Sequence, residues 1–303
     1  MANERKVDTE RIKKVAQSVI GLPTLPTVVS KMLEMVDSRR TSADTLARLI
    51  STDQALTARL LKLANSAYYG YQREVSTVNM AIVVLGFNTV KEVGLWYSVF
   101  DVFKNSGPAA AGFDAVKFWE HSAACGVAAR MLSKTSGSRY SGEAFVAGLL
   151  HDMGKMILSQ YFGAEFVEVI ETAQSEGCGL DAAESEILGV SHGRVGAWLA
   201  EKWNLPAIIC DTVKNHHAPW EAETEPSFVG MITVADILCH LTQIGDSGRK
   251  ACPSYGDRLW QIFQSAAMPI DETDLERLQT DFQAEYGRSE AYISVVQETE
   301  TGG

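Results

Sequence analysis

Residues 42–64 read S-A-D-T-L-A-R-L-I-S-T-D-Q-A-L-T-A-R-L-L-K-L-A, and their spacing decides the fold class. Leu46, Leu49 and Ile50 fall three and four apart, so they share one face of a helix. Leu56, Leu60 and Leu63 repeat the pattern, flanked by Leu61 and Ala64. Between the two stripes stand Ser51, Thr52 and Asp53. Their short side chains accept hydrogen bonds from the unpaired N–H groups of a helix start, so they read as capping residues. The same style continues through Met80, Ala81, Val84 and Leu85, and again from Thr89 to Phe100. No long alternation of apolar and polar residues signals a sheet. The chain reads as all-α.

Outward from that stretch, Gly, Pro and small residues gather in K-N-S-G-P-A-A-A-G-F at 104–113, which reads as a linker between two helical regions. A second break falls near Gly245 to Pro253. Beyond it, Tyr255 to Ile293 reads as two or three short amphipathic helices, and the closing Q-E-T-E-T-G-G as a frayed end. The expected plan is a tail at 1–14, an N-terminal helical subdomain at 15–112, a second helical subdomain at 113–245 packed on it, and a C-terminal helical extension at 246–303.

Composition narrows the function classes. The chain has 303 residues, 46% of them hydrophobic, which is enough apolar material for one large core or two smaller ones. The formal net charge is -11, and no Lys/Arg run exceeds two, so direct nucleic-acid binding is not expected. The charged start, M-A-N-E-R-K-V-D-T-E-R-I-K-K, has no apolar core of a signal peptide. The longest apolar run, Met80 to Phe87, is too short to span a bilayer. Cys125, Cys178, Cys210, Cys239 and Cys252 are odd in number and form no C-x-x-C pair; Cys125, Cys210 and Cys239 sit in apolar stretches as small core residues. These features lead to the expectation of a cytoplasmic protein with no membrane association.

All six histidines lie in the middle unit: His121, His151, His192, His216, His217 and His240. His121 shares a helical face with Ala124, Cys125 and Ala128. His192 opens a helix behind Ser191, and His216 aligns with Ile209, Thr212 and Val213 on a helix that starts at Pro206. His151 and Asp152 close an apolar run in A-F-V-A-G-L-L-H-D-M-G-K-M-I-L, with Gly154 expected to let the backbone turn and Lys155 to supply a cation. Asp236 stands in F-V-G-M-I-T-V-A-D-I-L-C-H-L, a helix with almost no other polarity. A carboxylate there is costly unless it is paired, hydrogen-bonded or bound to a cation. Adjacent imidazole and carboxylate can both reach one divalent ion, and a carboxylate can bridge two. The combination points to a metal site; a hydrogen-bonded polar core is the alternative. His240 is left outside, as a core or surface residue. Trp96, Trp119, Trp198, Trp203 and Trp260 read as core or interface aromatics, and Trp220, in a polar stretch near His217, as loop packing or, alternatively, the lining of a site mouth. Asn65, Ser66, Tyr68 and Tyr69 mark either the junction of the two halves or a partner surface.

The order His121, His151-Asp152, Asp236 resembles the H…HD…D signature of the HD metal-dependent phosphohydrolase superfamily. The first half is similar to the HDOD family specifically. L-P-T-L-P-T-V-V-S-K-M-L at 22–33, S-T-D-Q-A-L-T-A-R-L-L-K-L-A-N-S-A-Y-Y-G at 51–70 and A-I-V-V-L-G-F-N-T-V-K-E-V at 81–93 carry that likeness. So do S-H-G-R-V-G-A-W-L-A-E-K-W-N-L-P at 191–206 and the His216-His217 pair. The resemblance implies an all-helical HD-related fold with an HD-like metal-binding half and a role in bacterial signalling or regulation through a protein partner. It implies that His121, His151, Asp152 and Asp236 hold a first ion. Asp152 would bridge to a second ion on His192, His216 and His217. Such a donor set suits iron, manganese, zinc, nickel or cobalt better than magnesium. The alternative it implies is an active phosphohydrolase on a nucleotide or cyclic dinucleotide, with Asp152 and Lys155 as catalytic residues and Lys155 contacting substrate phosphate. HD-GYP phosphodiesterases continue after the histidine pair with Gly-Tyr-Pro. This chain reads H-H-A-P-W-E-A-E-T-E-P, which argues against cyclic-di-GMP hydrolysis.

Overall fold

The computed structural model describes residues 21, 24–25, 27–35, 42–66, 69, 74–104, 107–138, 140–248 and 255–301. The expected tail at 1–14, Tyr68, Cys252 and the end of the 245–253 break lie outside them. Among the described residues every regular element is helical and none is a strand. The two leucine stripes form separate helices, α2 (Ala43–Ile50) and α3 (Gln54–Ala64), after α1 (Thr27–Glu34). Ser42 caps α2 and Asp53 caps α3, where its carboxylate accepts from the Leu56 N–H at 3.0 Å. Leu46, Ile50, Leu56, Leu60 and Leu63 are buried, as the spacing predicts.

Helix α4 (Val78–Leu85) turns at Gly86 into α5 (Phe87–Lys104). From Val90 to Phe100 α5 is buried on every face, which its near-continuous apolar sequence requires. It packs against α1, α3 and α4 on one side and, on the other, against α7 (Ser141–Leu150) of the second half. Aromatic rings join the halves. Phe100 and Phe103 of α5 lie 5.6 and 5.8 Å from Trp119 of α6 (Ala115–Thr135), and Phe103 lies 6.2 Å from Trp203. Within the 104–113 stretch, the described residues 107–113 are tied to α8 (Met153–Tyr161). The Ala110 N–H donates to Ser159 Oγ at 2.7 Å, and Gln160 donates to the Phe103 and Gly107 carbonyls.

In the second half, α7 and α13 (Pro226–Thr242) pack on α6. Around them lie α8 (Met153–Tyr161), α9 (Gly163–Glu176), α10 (Leu180–Ile187), α11 (His192–Lys202) and α12 (Ala207–Asn215). Beyond α13 come α14 (Gly256–Ser265) and one long helix, α15 (Leu275–Thr301). Two helices with the 3-10 turn Glu272–Asp274 between them match the expected number, but the last is long rather than short and runs to Thr301. An Asp271 capping box starts the last segment, and no proline interrupts it. Leu278, Phe282 and Tyr286 then bury one continuous stripe against α6 and α13. Helix α15 also reaches α3, so it touches both halves. Arg130 of α6 sits at the three-way junction, donating to Glu92 of α5 and, at 3.1 Å, to Glu285 of α15.

Among the described residues no single helix is long and apolar enough to cross a membrane; α4 and α5 pass that test only as a pair bent by 113°. Asn65 caps α3 and ties it to Val75, with its side-chain oxygen accepting from the Val75 N–H at 2.7 Å. That is a role within the N-terminal half.

Candidate metal centre

Each site residue sits at a helix end or on a buried helical face. His121 lies midway along α6. His151 ends α7 and Asp152 starts α8, so the tight junction of two helices turns both side chains inward. His192 is the first residue of α11, His216 ends α12, His217 follows it, and Asp236 lies in α13. Gly154 does not make a turn, contrary to expectation: it is helical, and its lack of a side chain serves packing. A Cβ there would stand 1.9 Å from the His192 carbonyl oxygen, so only glycine lets α8 press against the start of α11. Gly148, one turn before Asp152, does the same for α7 on α6, where a Cβ would meet the Cys125 carbonyl oxygen at 2.6 Å.

The two oxygens of Asp152 face two groups. Oδ2 lies 3.3 Å from His151 Nε2 and 4.0 Å from His121 Nε2. Asp236 Oδ1 joins this side, 3.2 Å from His121 Nε2 and 3.9 Å from His151 Nε2. Oδ1 of Asp152 lies 3.2 Å from His192 Nε2 and 3.3 Å from His216 Nε2. His192 Nε2 is in turn 3.3 Å from His216 Nε2 and 3.0 Å from His217 Nε2. The structure thus brings together all seven residues singled out as ligands. Lys155 donates to Asp152 Oδ2 at 2.6 Å. His121, His151, Asp152, Lys155, His192, His216 and Asp236 are all nearly inaccessible to solvent; His217 alone of the seven and the lysine is half-buried.

The outward nitrogens show why these residues fit a cation. Nδ1–H of His151 donates to the Gly148 carbonyl at 2.7 Å, and that of His216 to the Val213 carbonyl at 2.9 Å. His192 Nδ1 is 2.6 Å from Glu184 Oε2, and His217 Nδ1 is 3.0 Å from the Tyr255 hydroxyl. With Nδ1 engaged outward, each Nε2 is turned inward, the arrangement that metal-binding imidazoles use. His121 Nε2, His151 Nε2 and Asp152 Oδ1 are buried with no hydrogen-bond partner. Three imidazole nitrogens facing one another need a shared proton or a cation among them. Donors about 2.0–2.1 Å from a common ion stand about 2.9–3.4 Å apart for octahedral to tetrahedral angles, which is the spacing found around Asp152 Oδ1. Two sets of donors, Asp152 with His192, His216 and His217, and Asp152 with His121 and His151, are each compact enough to hold an ion.

Electrostatics agree. Burial pushes His192 down, but the Glu184 and Asp152 carboxylates outweigh it and lift this imidazole to about 9. Burial, reinforced by the neighbouring His151 and His192, lowers His216 to about 4 despite Asp152. Burial alone would raise Asp152 and Asp236. The histidines around both, with Lys155 beside Asp152, instead hold the two carboxyls well below their usual range. Both carboxyls are therefore anionic, His216 offers a bare nitrogen, and a cation would displace the proton on His192.

Three neighbours of the site were not legible beforehand. His240, left outside in the sequence reading, is drawn in: its Nε2 lies 3.5 Å from Asp236 Oδ1, and its ring is 5.5 Å from that of His121. The signal was its spacing of four from Asp236 on one apolar helix, which puts both on the same face. Glu184, wholly buried, accepts from both the N–H and the Nδ1–H of His192, yet its stretch A-A-E-S-E-I looks like any amphipathic helix. Tyr255 comes from beyond the second break. Trp220 packs in a short 3-10 turn, Pro219–Glu221, with the Arg258 guanidinium 4.2 Å from its ring centroid.

An all-helical fold around a buried histidine–aspartate cluster able to hold a divalent ion defines an HD-type protein. The HDOD domain family matches residues 22–219, more than half of the chain, and the chain belongs to that family. A crystal structure of an HDOD domain protein of unknown function from Geobacter sulfurreducens is similar with a TM-score of 0.76 and 27% identity, covering 94% of this chain and 97% of that one. A protein from Shewanella amazonensis SB2B, provisionally described as a phosphohydrolase, is similar with a TM-score of 0.68 and 26% identity, covering 93% and 97%. An uncharacterized protein of Treponema pallidum (strain Nichols) is 23% identical over 285 residues, which are 92% of this chain and 54% of that protein. The chain thus spans about half the length of the curated relative it matches.

Proposed function

We propose that this HDOD protein is a bacterial signalling module whose HD-like half holds one or two divalent transition-metal ions and whose N-terminal helices engage a partner protein. The observation that carries the reading is the bridging position of Asp152, with one oxygen toward each group of imidazoles. His121, His151, Asp152 and Asp236 would hold the first ion; Asp152, His192, His216 and His217 would hold the second. The nitrogen-rich donors favour iron, manganese, zinc, nickel or cobalt. The near-complete burial of the donors supports a held, regulatory ion over an open reaction centre, and Lys155 is spent on Asp152 rather than directed outward. The test is elemental analysis of protein purified without chelators. One or two equivalents of a transition metal, lost in Asp152→Ala, support the reading. A metal-free wild type refutes it.

A second reading is favoured by the complete donor set and the Shewanella relative: a phosphohydrolase acting on a nucleotide or phosphodiester. A bound ion would supply Lewis-acid polarisation of a phosphate oxygen and activation of water. In that reading Lys155 balances phosphate charge, and Asp152 fixes the spacing of the two groups. Turnover of bis(p-nitrophenyl) phosphate by the manganese-loaded protein, absent from Asp152→Ala, supports this reading. No turnover by a fully loaded protein leaves the regulatory one.

A further inference from the structure

The four imidazoles with anchored Nδ1 atoms are not anchored alike. His151 and His216 donate to carbonyls three residues earlier, and His192 pairs with Glu184 eight residues earlier. Each of these anchors is local. His217 is different: its Nδ1 meets a hydroxyl from 38 residues further along, on the C-terminal segment. It is also the one half-buried member of the seven.

The segment that supplies Tyr255 is docked at more than one point. Three residues after His217, the Trp220 ring receives the guanidinium of Arg258, which is three residues after Tyr255. The two contacts are therefore in register. On its inner face, α14 buries Leu259 and Phe263 against α13, where a Cβ on Gly230 would already lie 3.2 Å from the Phe263 ring. None of these C-terminal residues belongs to the span that matches the HDOD family, residues 22–219.

We infer that Tyr255 is a positioning residue for His217, and that through it the docking of the C-terminal segment and the occupancy of the metal centre are coupled. The inference rests on the metal reading above. Accepting the Nδ1–H fixes the His217 tautomer and points Nε2 at the Asp152 group. An ion on Nε2 in turn fixes the proton on Nδ1 that Tyr255 accepts. Coupling of this kind is reciprocal: whatever steadies the segment tightens the ion, and the ion steadies the segment. A partner that pulls α14 away would loosen the second ion, and so would have access to the centre without touching it.

The experiment uses the full chain, stripped and then titrated with Zn²⁺ alone, with amide hydrogen exchange read over residues 256–265. Zinc is expected to increase protection there in the wild type. Tyr255→Phe is expected to weaken one zinc equivalent about tenfold, the usual consequence of losing such an outer partner. It should also abolish the zinc-dependent protection and alter the visible absorption of the Co²⁺-loaded protein. Arg258→Gln breaks the Trp220 contact but spares the hydroxyl, and should lower the zinc affinity in the same direction but by less than Tyr255→Phe. Unchanged zinc affinity and unchanged protection in Tyr255→Phe overturn the inference. If Tyr255→Phe does not fold, the wild type decides: zinc binding without added protection at 256–265 overturns the coupling. A wild type that binds no zinc fails the metal reading itself, a distinct result.

Discussion

Replacing Gly154 with alanine tests the packing that assembles the centre. In an exposed helix this change is stabilising by roughly 0.5–1 kcal/mol, because glycine loses more backbone freedom on folding. Here the sign reverses. The new Cβ would lie 1.9 Å from the His192 carbonyl oxygen, 2.7 Å from its carbon and 2.9 Å from the Gly196 nitrogen. These are backbone atoms, so no rotamer change relieves the clash. Reaching an ordinary contact of 3.4 Å needs about 1.5 Å of separation between α8 and α11, and overpacking of this kind costs about 3 kcal/mol at the upper end of its usual range. Subtracting about 1 kcal/mol of helix propensity leaves about 2 kcal/mol of destabilisation. For 303 residues, unfolding entropy near the midpoint is about 0.6 kcal/mol/K, so Tm should fall about 3 °C. Metal binding should suffer more, because Asp152 and His192 ride on the two helices that separate and their 3.2 Å approach would open past 4 Å. The assay is thermal unfolding of stripped protein alongside zinc titration. Gly287→Ala is the control: that helical glycine has nothing within 4 Å of a built Cβ, and its Tm should rise about 1 °C. A Gly154→Ala protein with wild-type Tm and wild-type zinc affinity would refute the proposed helix contact.

The remaining predictions concern the junctions around the site. Arg130→Met leaves the buried Glu92 carboxylate without its guanidinium and should cost about 3–5 kcal/mol in denaturant unfolding; Glu92→Gln in the same chain should recover part of it, and additive losses would show the pair is not coupled. Burial raises the Glu92 carboxyl above its ordinary value of 4.5, against the pull of Arg130. Its contribution is therefore fully present below that value and fades as pH rises through the folded one, so Glu92→Gln should gain on the wild type between acid and neutral pH; a constant difference would contradict this. Asp211 accepts from Asn215, from the Glu223 and Thr224 N–H groups and from the Thr224 hydroxyl. Asp211→Ala should lose at least about 2 kcal/mol and speed chymotrypsin cleavage after Trp220, whereas unchanged cleavage would show the loop is held elsewhere.

How much of this was legible in the sequence depends on where each signal lies. The helices announced themselves because their apolar residues recur every three or four positions and because Ser51 to Asp53, of which Asp53 is the cap, stand where a helix start is needed. Asp236 was legible for the opposite reason: a charge amid apolar neighbours has to be explained. His121, His151, His192 and His216 were legible through buried faces and the resemblance together. What stayed hidden were residues whose neighbours look ordinary. Glu184 sits in an amphipathic helix with nothing to mark it, although it is one of the most buried acids in the molecule. Its identity as the partner of His192 depends on a turn that brings residues eight apart together, and no periodicity encodes that. Gly154 was noticed for the wrong property. Sequence suggests conformational freedom for a glycine after His-Asp, whereas the fold uses its missing side chain.

The long C-terminal helix shows a similar limit with a functional consequence. Leu278, Phe282 and Tyr286 signal burial but not the surface they cover. In the fold that surface is chiefly α6, the helix that also carries His121, and α15 reaches past it to α3 of the N-terminal half. Arg130 of α6, joining Glu92 of α5 and Glu285 of α15, locks α6 to a helix of each neighbouring part. The centre is thus enclosed by parts of the chain far apart in sequence: Asp236 and His240 from α13, His217 steadied by Tyr255, and α6 clamped between α5 and α15. A protein that needed only a folded core has little use for three imidazole nitrogens gathered beside one carboxylate, since apolar residues of similar volume are often at least as stable. Keeping them beside a buried carboxylate makes physical sense where a cation completes the cluster.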